Sequence, residues 1–334
     1  MNEAEIKSRS SGMTRILWCL WFMLVPASAL QFPSVTIENS PALLVSRPVS
    51  TVRLSGSGRR KFLHGLCTAH IEAMEEGGVL EASVVDSLGH MKHMLTVFEV
   101  EDALLGLSAY GQGGALASFL DRYAFPADNV NVEDVSGAYN EAWELCGTSA
   151  VRLLADALGL DPIELPSPGR CVRLMAPALG SMPLLVLGAD SLGFQTGGTA
   201  AEADDCSSFT LLCDSSSATA TLTSTLRQVV DDAGGAVADT CVHAATRAPS
   251  TATRGLQASR WLRLRSALHR YESLRVLRGR PAIGREFGDG ASIALDGVDV
   301  APTPLELGLW KSVHLDKGCY LGQEMVARLA RVKV

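Results

Sequence analysis

Between Val52 and Val135 the chain switches repeatedly between two hydrophobic periods, and this switching limits what it can fold into. Thr51-Val52-Arg53-Leu54-Ser55 alternates apolar and polar positions, the period of a half-buried strand, and Gly56 to Gly58 supply a turn. Phe62, Leu63 and Leu66 then fall at helical spacing. Leu80 to Val85 and Met94 to Val100 read as strands paired across a turn holding Asp86, Ser87 and Gly89. Gly113 to Tyr123 is expected to be helical, with Leu116, Phe119 and Leu120 on one face, and Asn131 to Val135 to be a strand. Hairpins interleaved with helices predict an α+β fold and argue against a purely parallel sheet.

A second unit is expected from Ala142 to about Arg285. Leu145 opens a strand, Ala150 to Leu158 forms a helix, and Pro183 to Leu187 is a buried strand ended by Gly188. Cys206 to Ser224 and Ala233 to Thr253 are rich in Ser, Thr, Ala and Gly with little periodicity, and read as loops or inserts. Trp261, Leu264, Leu268, Tyr271 and Leu274 recur at three- and four-residue steps, which predicts a helix with one apolar stripe against the core.

With 334 residues, 47% of them hydrophobic, the chain has material for a sizeable core and about two domains. Its formal charge of −7 argues against nucleic-acid binding through net charge. Between Arg247 and Arg285, however, ten arginines face one acid, Glu272, a stretch suited to an anionic ligand or to a solvated helix face.

Lys7, Arg9 and Arg15 precede an apolar run from Ile16 to Val25 and then Pro26-Ala27-Ser28-Ala29, the order of a signal peptide over residues 1–29. The run is about ten residues, too short to cross a bilayer as a helix, so no membrane association is expected once the leader is removed. Residues 30–50 carry Ser, Thr, Pro and Arg47 but a single acid, Glu38, which suits a transit segment. Together they resemble the bipartite leaders of proteins imported into secondary plastids; export is the rival reading. The eight cysteines are scattered, with no C-x-x-C pair, which favours a reducing compartment. No metal-ligand spacing is found, so no metal is expected on this chain alone.

The most distinctive chemistry lies in Lys317 to Glu324, K-G-C-Y-L-G-Q-E. A thiol stands two residues after an ammonium group and before Gln323 to Val332, a stretch of helix formers. If that stretch is a helix, Cys319 lies near its positive end, and both neighbours would lower the thiol pKa. The plainer alternative is a half-buried cysteine in a helix-capping turn.

This octapeptide resembles the signature of the folate-binding YgfZ family, relatives of the glycine-cleavage T-protein (aminomethyltransferase) that support iron–sulfur enzymes. Pro304-Leu305-Glu306, Gly308-Leu309-Trp310 and Ala327-Arg328-Leu329 extend the likeness and are most similar to the plastid branch. Leu274-Arg275 with Gly279-Arg280-Pro281 and Glu286 resembles another family segment, and Val52 to Gly56 followed by Arg60-Lys61-Phe62-Leu63-His64 resembles its opening strand and helix.

The resemblance implies a T-protein-like pseudo-symmetric ring of strand/helix modules around a central folate site. The modules would be residues 51–140 and 141–334, without the C-terminal β-barrel that family members carry after the signature. It implies a tetrahydrofolate-binding accessory factor for iron–sulfur cluster assembly or repair, without conventional turnover, in a plastid or alternatively the mitochondrial matrix. Its partners would be folate and iron–sulfur assembly proteins or client enzymes. Cys319 and Lys317 would carry the chemistry, with Arg275, Gln195, Tyr320, Gln323 and Glu324 holding the cofactor. A pairing of Lys317 with Glu324 that only holds the loop is the structural alternative. The family's Gly-Phe-Glu appears as Gly193-Phe194-Gln195, where a glutamine keeps a hydrogen bond and loses a charge-assisted one. Arg275, Arg278 and Arg280 would offer forks to a glutamyl tail.

Two other functions compete. A tetrahydrofolate-dependent aminomethyl or one-carbon transferase is disfavoured by Leu88 to His93, where the T-protein carries an aspartate. His93 is expected to be a surface residue of the hairpin. A degenerate scaffold that has lost folate is the third reading.

Overall fold

The computed structural model describes residues 42–190, 207–214, 216–239 and 301–331, together with 272, 275–276, 279–283, 286–287, 293–295 and 298–300. The expected leader, Gln195 and most of the expected helix from Trp261 to Leu274 lie outside the described residues.

Strand β1 (Leu43–Ser55) organises the fold. It is followed by β2 (Val79–Val85), β3 (Met91–Val100), β4 (Ala103–Ala109), β5 (Asn131–Asp134), β6 (Glu141–Gly147), β7 (Cys171–Ala176), β8 (Met182–Asp190), β9 (Ser207–Leu212) and β10 (Ala236–Asp239). The strands join in the order β2-β3-β4-β1-β6-β9-β8-β7, with β5 and β10 also paired to β1. Every pairing on that path is antiparallel, and β10 lies parallel to Leu43–Ser46. β1 starts at Leu43, eight residues before the run from Thr51 read as its beginning. Residues 43–50, expected in a transit segment, are therefore part of this strand.

The sheet is curled until its two ends touch. The Val79 N–H donates to the Gly169 carbonyl at 2.9 Å, and the Cys171 N–H to that of Gly77 at 2.7 Å. Contact is confined to this short stretch, so the architecture is α+β with an open, barrel-like antiparallel sheet.

The pleat sorts side chains between an outer and an inner face. Val52, Leu54, Val84, Leu95, Val97 and Leu104 point outward and meet Phe62 and Leu63 of α1 (Arg59–His64) and Leu116 and Leu120 of α2 (Gly113–Asp121). In the second half Trp143, Leu145, Leu184, Val186 and Leu211 pack on α3 (Ala150–Leu158) and α4 (Ser216–Asp232). The inner face carries a third cluster, with Val49, Phe98, Leu105, Leu107, Leu185, Leu187 and Leu212 among its members. β1 belongs to all three, which is why its burial is nearly continuous where an ordinary half-exposed strand would alternate.

β9 and α4 correct the expectation of loops over Cys206 to Ser224. The helix is rich in Ser and Thr, and its fully buried residues Leu222, Leu226 and Val230 are spaced by four, with Val229 packed beside them. Ser and Thr are weak helix formers, so burial of that narrow stripe, a tertiary effect, holds the helix.

Candidate functional site

The signature segment straps across the C-terminal end of α1. His314 N–H donates to the Thr68 carbonyl at 2.9 Å, Thr68 Oγ1 to the Ser312 carbonyl at 2.6 Å, and Leu321 N–H to the Gly65 carbonyl at 3.0 Å. Lys317 is the anchor. Its buried Nζ donates to the carbonyls of His64, Cys67 (2.6 Å) and Ala69 (2.8 Å), using all three ammonium donors, and lies 4.7 Å from the centre of the Tyr320 ring. A cation at a helix C-terminus satisfies carbonyls the helix leaves bare. Burial pushes the Lys317 pKa down, against the pull of Cys67 and Glu72. Burial also pushes the Tyr320 phenol up to about 12, with Cys67 adding to the rise.

Of the two neighbours expected for the thiol, the helix starts where the sequence placed it and the lysine is turned to other partners. Lys317 is committed to carbonyls, and α5 (Gln323–Arg331) begins four residues beyond Cys319. Gln323 Oε1 accepts the Tyr320 N–H at 3.1 Å and so closes the turn that starts the helix. Glu324 is exposed in the first turn of α5, where an acid suits the helix dipole, and the carbonyl cradle stands where the structural alternative had a Lys317–Glu324 pair. Cys67, Cys146, Cys171 and Cys213 are buried and Cys319 is exposed. Cys67, behind the strap, has its thiol pushed up to about 11 by burial, against the opposing pull of Lys317 and a hydrogen bond to Ala69.

The β2–β3 turn packs directly on the signature. Gly322 (φ 77°) and Gly89 (φ 80°) bring two backbones together: a Cβ on Gly322 would stand 2.4 Å from the Asp86 carbonyl oxygen. Asp86 organises its own turn, accepting the Leu88 and His90 N–H groups at 3.0 Å. Burial would raise its pKa, but those bonds and the charges of His90 and Lys92 prevail and lower it. His64, His70 and His314 lie ring to ring beside the strap, with centroids 4.8 and 4.9 Å apart. Among the described residues no group of three or more His, Cys, Asp or Glu is arranged to hold a metal ion.

Arg275 does not offer an open fork. Its guanidinium is buried and donates to Glu286 through Nη1 and Nη2, both at 3.1 Å, to Glu272 through Nε at 3.1 Å and to the Arg280 carbonyl at 2.6 Å. An internal carboxylate therefore occupies the place expected for a ligand's. His93 is another correction: it is buried in β3, edge-on to Phe119, because its side chain follows the strand's pleat.

The sequence reading missed the interior of the sheet. One chamber of about 150 Å³ is lined by Arg47 of β1, Glu81 of β2, Thr96 of β3, Leu107 of β4, Glu144 of β6, Leu187 of β8 and Thr210 of β9, with Arg280. A second, of about 240 Å³, shares Arg47, Leu107 and Arg280 and adds His93, Tyr110, Arg275, Ile283 and Phe287. Of the described residues expected to form the site, Arg275 lines the second chamber; Lys317, Cys319, Tyr320, Gln323 and Glu324 line neither. Period-two alternation was the available signal, since Glu81, Thr96, Glu144 and Thr210 all occupy inward positions of their strands.

Glu144 is 2% exposed. Its Oε1 accepts from Arg47 Nε at 2.7 Å, and its shielded Oε2 has no hydrogen-bond partner. Glu81 repeats the arrangement: Oε1 accepts from Thr96 Oγ1 at 2.8 Å, and Oε2 is shielded and unbonded. Burial raises the Glu81 pKa, opposed by Arg280, the Thr96 bond and Arg47, while Glu144 adds to the rise.

No protein-family model matches the chain. Over 278 residues it is 26% identical to a putative chloroplastic transferase of Arabidopsis thaliana, covering 83% of this chain and 50% of that protein, so the chain spans about half the length of the curated relative it matches. Among solved structures it is similar to the glycine cleavage system aminomethyltransferase T of Bartonella henselae, with a TM-score of 0.45 and 16% identity over 60% of this chain and 48% of that one.

Proposed function

We propose that this chain binds a reduced folate inside its curled sheet and serves a one-carbon transferase of the aminomethyltransferase type in a plastid. The observation that carries the reading is the pair of chambers that share Arg47, Leu107 and Arg280 in their walls. One is lined by the carboxylate residues Glu81 and Glu144, and the other by Tyr110, Phe287 and Ile283. A pterin brings N–H donors and the attached arylamine brings an apolar body, so each end of a folate meets a wall of matching chemistry. Glu144 and Glu81 would hold the head, with Tyr110 and Phe287 beside the ring that follows. Bound tetrahydrofolate would supply the amine nitrogens that accept a one-carbon unit. The distant likeness to a chloroplastic protein named a transferase supports both the reaction class and the compartment.

Titration of the purified full chain with tetrahydrofolate under reducing conditions tests the binding, and saturable binding at about micromolar concentration is expected for a pocket of this kind. Absence of any saturable signal would remove the reading. An aminomethyl-transfer assay on the same protein then separates a transferase from a protein that only holds folate.

A second reading, an accessory factor for iron–sulfur assembly, is favoured by the exposed Cys319 on a strap pinned at Lys317. If Cys319→Ala fully restores iron–sulfur enzyme activity in a deficient cell, the thiol has no part in such a role.

A further inference from the structure

We propose that His64, His70 and His314 form an acid-sensitive latch that pins the signature strap to α1 near neutral pH and loosens it in mild acid. The latch is independent of the folate reading, because none of its three residues lines either chamber.

The three rings come from three segments. His64 ends α1, His70 precedes the short turn at Ile71–Ala73, and His314 belongs to the strap. His70 stands between the other two, its ring centroid 4.8 Å from that of His64 and 4.9 Å from that of His314, so the stack bridges the body of the fold and the strap. His64 is buried, and the strap closes over it: a Cβ on Gly318 would lie 3.8 Å from Nε2, at van der Waals distance. Its carbonyl is also one of the three that hold Lys317. One residue therefore places a titratable ring beneath the strap and supplies an anchor point for it.

The hydrogen bonding selects the neutral ring. His64 Nδ1 accepts the Glu72 N–H at 3.4 Å, so this tautomer carries its proton on Nε2. A second proton enters at Nδ1, where it turns an accepted bond into two opposed donors. The groups that act on the ring are Lys317, Glu72, His70 and His314, and Glu72, with Oε2 3.8 Å from Nε2, is the carboxylate among them. Lys317 in turn feels Cys67 and Glu72. Burial is the largest cause lowering the His64 pKa and Lys317 the next, while Glu72 pulls the other way against His70 and His314. His314 is exposed and its charge is screened, so the ring beneath Gly318 carries most of the effect. Because the folded value lies below the ordinary 6.5, closure is favoured above 6.5 and the advantage is lost as pH falls through the folded value. Lifting the strap takes His314 and Lys317 away from His64 and lets water solvate the imidazolium, which links proton uptake to release.

Hydrogen exchange of the full chain, read by mass spectrometry from about pH 7.5 to about pH 5.5, tests the latch. The probes are the His314 and Leu321 amides, which close onto the Thr68 and Gly65 carbonyls, each rate divided by the intrinsic rate at that pH. Their protection in wild type is expected to fall about tenfold over this range, while the amides of β6 keep theirs. His64→Asn offers an acceptor to the Glu72 N–H and takes up no proton, so its strap protection is expected to stay level. Circular dichroism reports whether it folds. Should it not, His314→Gln removes the exposed ring in its place and is expected to shrink the fall. Wild-type strap protection that does not change with pH overturns the latch, as does a fall of undiminished size in the folded variant. Loss of β6 protection together with the strap is global unfolding and overturns it too.

Discussion

Lys317 shows how one residue's position in sequence misdirects a chemical reading. Two residues before a cysteine, it reads as a thiolate-stabilising cation; folded, it caps the carbonyls of residues 64, 67 and 69. Lys317→Met keeps the stem and removes the donors, leaving three carbonyls without them. It is expected to cost about 3 kcal/mol, read as a shift in the urea midpoint with unchanged slope. Cys319 is expected to be the first of the described thiols to react with iodoacetamide in the native chain, ahead of Cys67, Cys146, Cys171 and Cys213. Peptide mass spectrometry reads the order, which follows from exposure. The octapeptide was legible as a unit because its residue types are distinctive. What Lys317 does was not legible, because its partners lie some 250 residues away in the chain.

At the scale of elements, the β2–β3 turn and the signature hold each other by backbone contact. Gly322→Ala combines a left-handed φ with a Cβ against the Asp86 carbonyl. It is expected to destabilise by about 2 kcal/mol or more, measured by thermal unfolding. Helix α1 is tied to β3 at its other end by Glu99, which accepts from Arg59 Nη2 at 2.8 Å and from Arg60. Burial alone would raise the Glu99 pKa, but the Arg60 and Arg59 hydrogen bonds and charges prevail and lower it. Since the folded value lies below the unfolded one, this stability is complete above the ordinary 4.5 and is lost as pH falls through the folded value. Glu99→Gln should therefore flatten the acid limb of the melting-temperature profile while lowering the plateau near neutrality. The strands and helices around these contacts followed from hydrophobic period, whereas α4 did not, because its three anchors are diluted by Ser and Thr.

At the scale of the whole molecule, the curl of the sheet makes an interior, and ligand linkage is its measurable consequence. On the folate reading, tetrahydrofolate at a hundredfold excess over its dissociation constant should stabilise the chain by about 2.7 kcal/mol. The same excess should do markedly less for Glu144→Gln, and differential scanning fluorimetry distinguishes the two. The basic stretch that suggested a fork for an anion contributes Arg275 to an internal Glu286 pair and Arg280 to the chamber wall. Charge counting along a sequence gives the number of cations and not their partners.

The sequence by itself determined the α+β class, most strand and helix positions in the first half and the helix after the signature. These are properties of neighbouring residues, set by side-chain period and by caps. Only the tertiary structure decided that the β2 and β7 ends meet, that Lys317 is a cap, that Arg275 is satisfied internally and that Glu81 and Glu144 line one chamber. Each depends on groups far apart in the chain, brought together by burial of the apolar face of β1 and its neighbours, and no local pattern encodes which distant groups will meet.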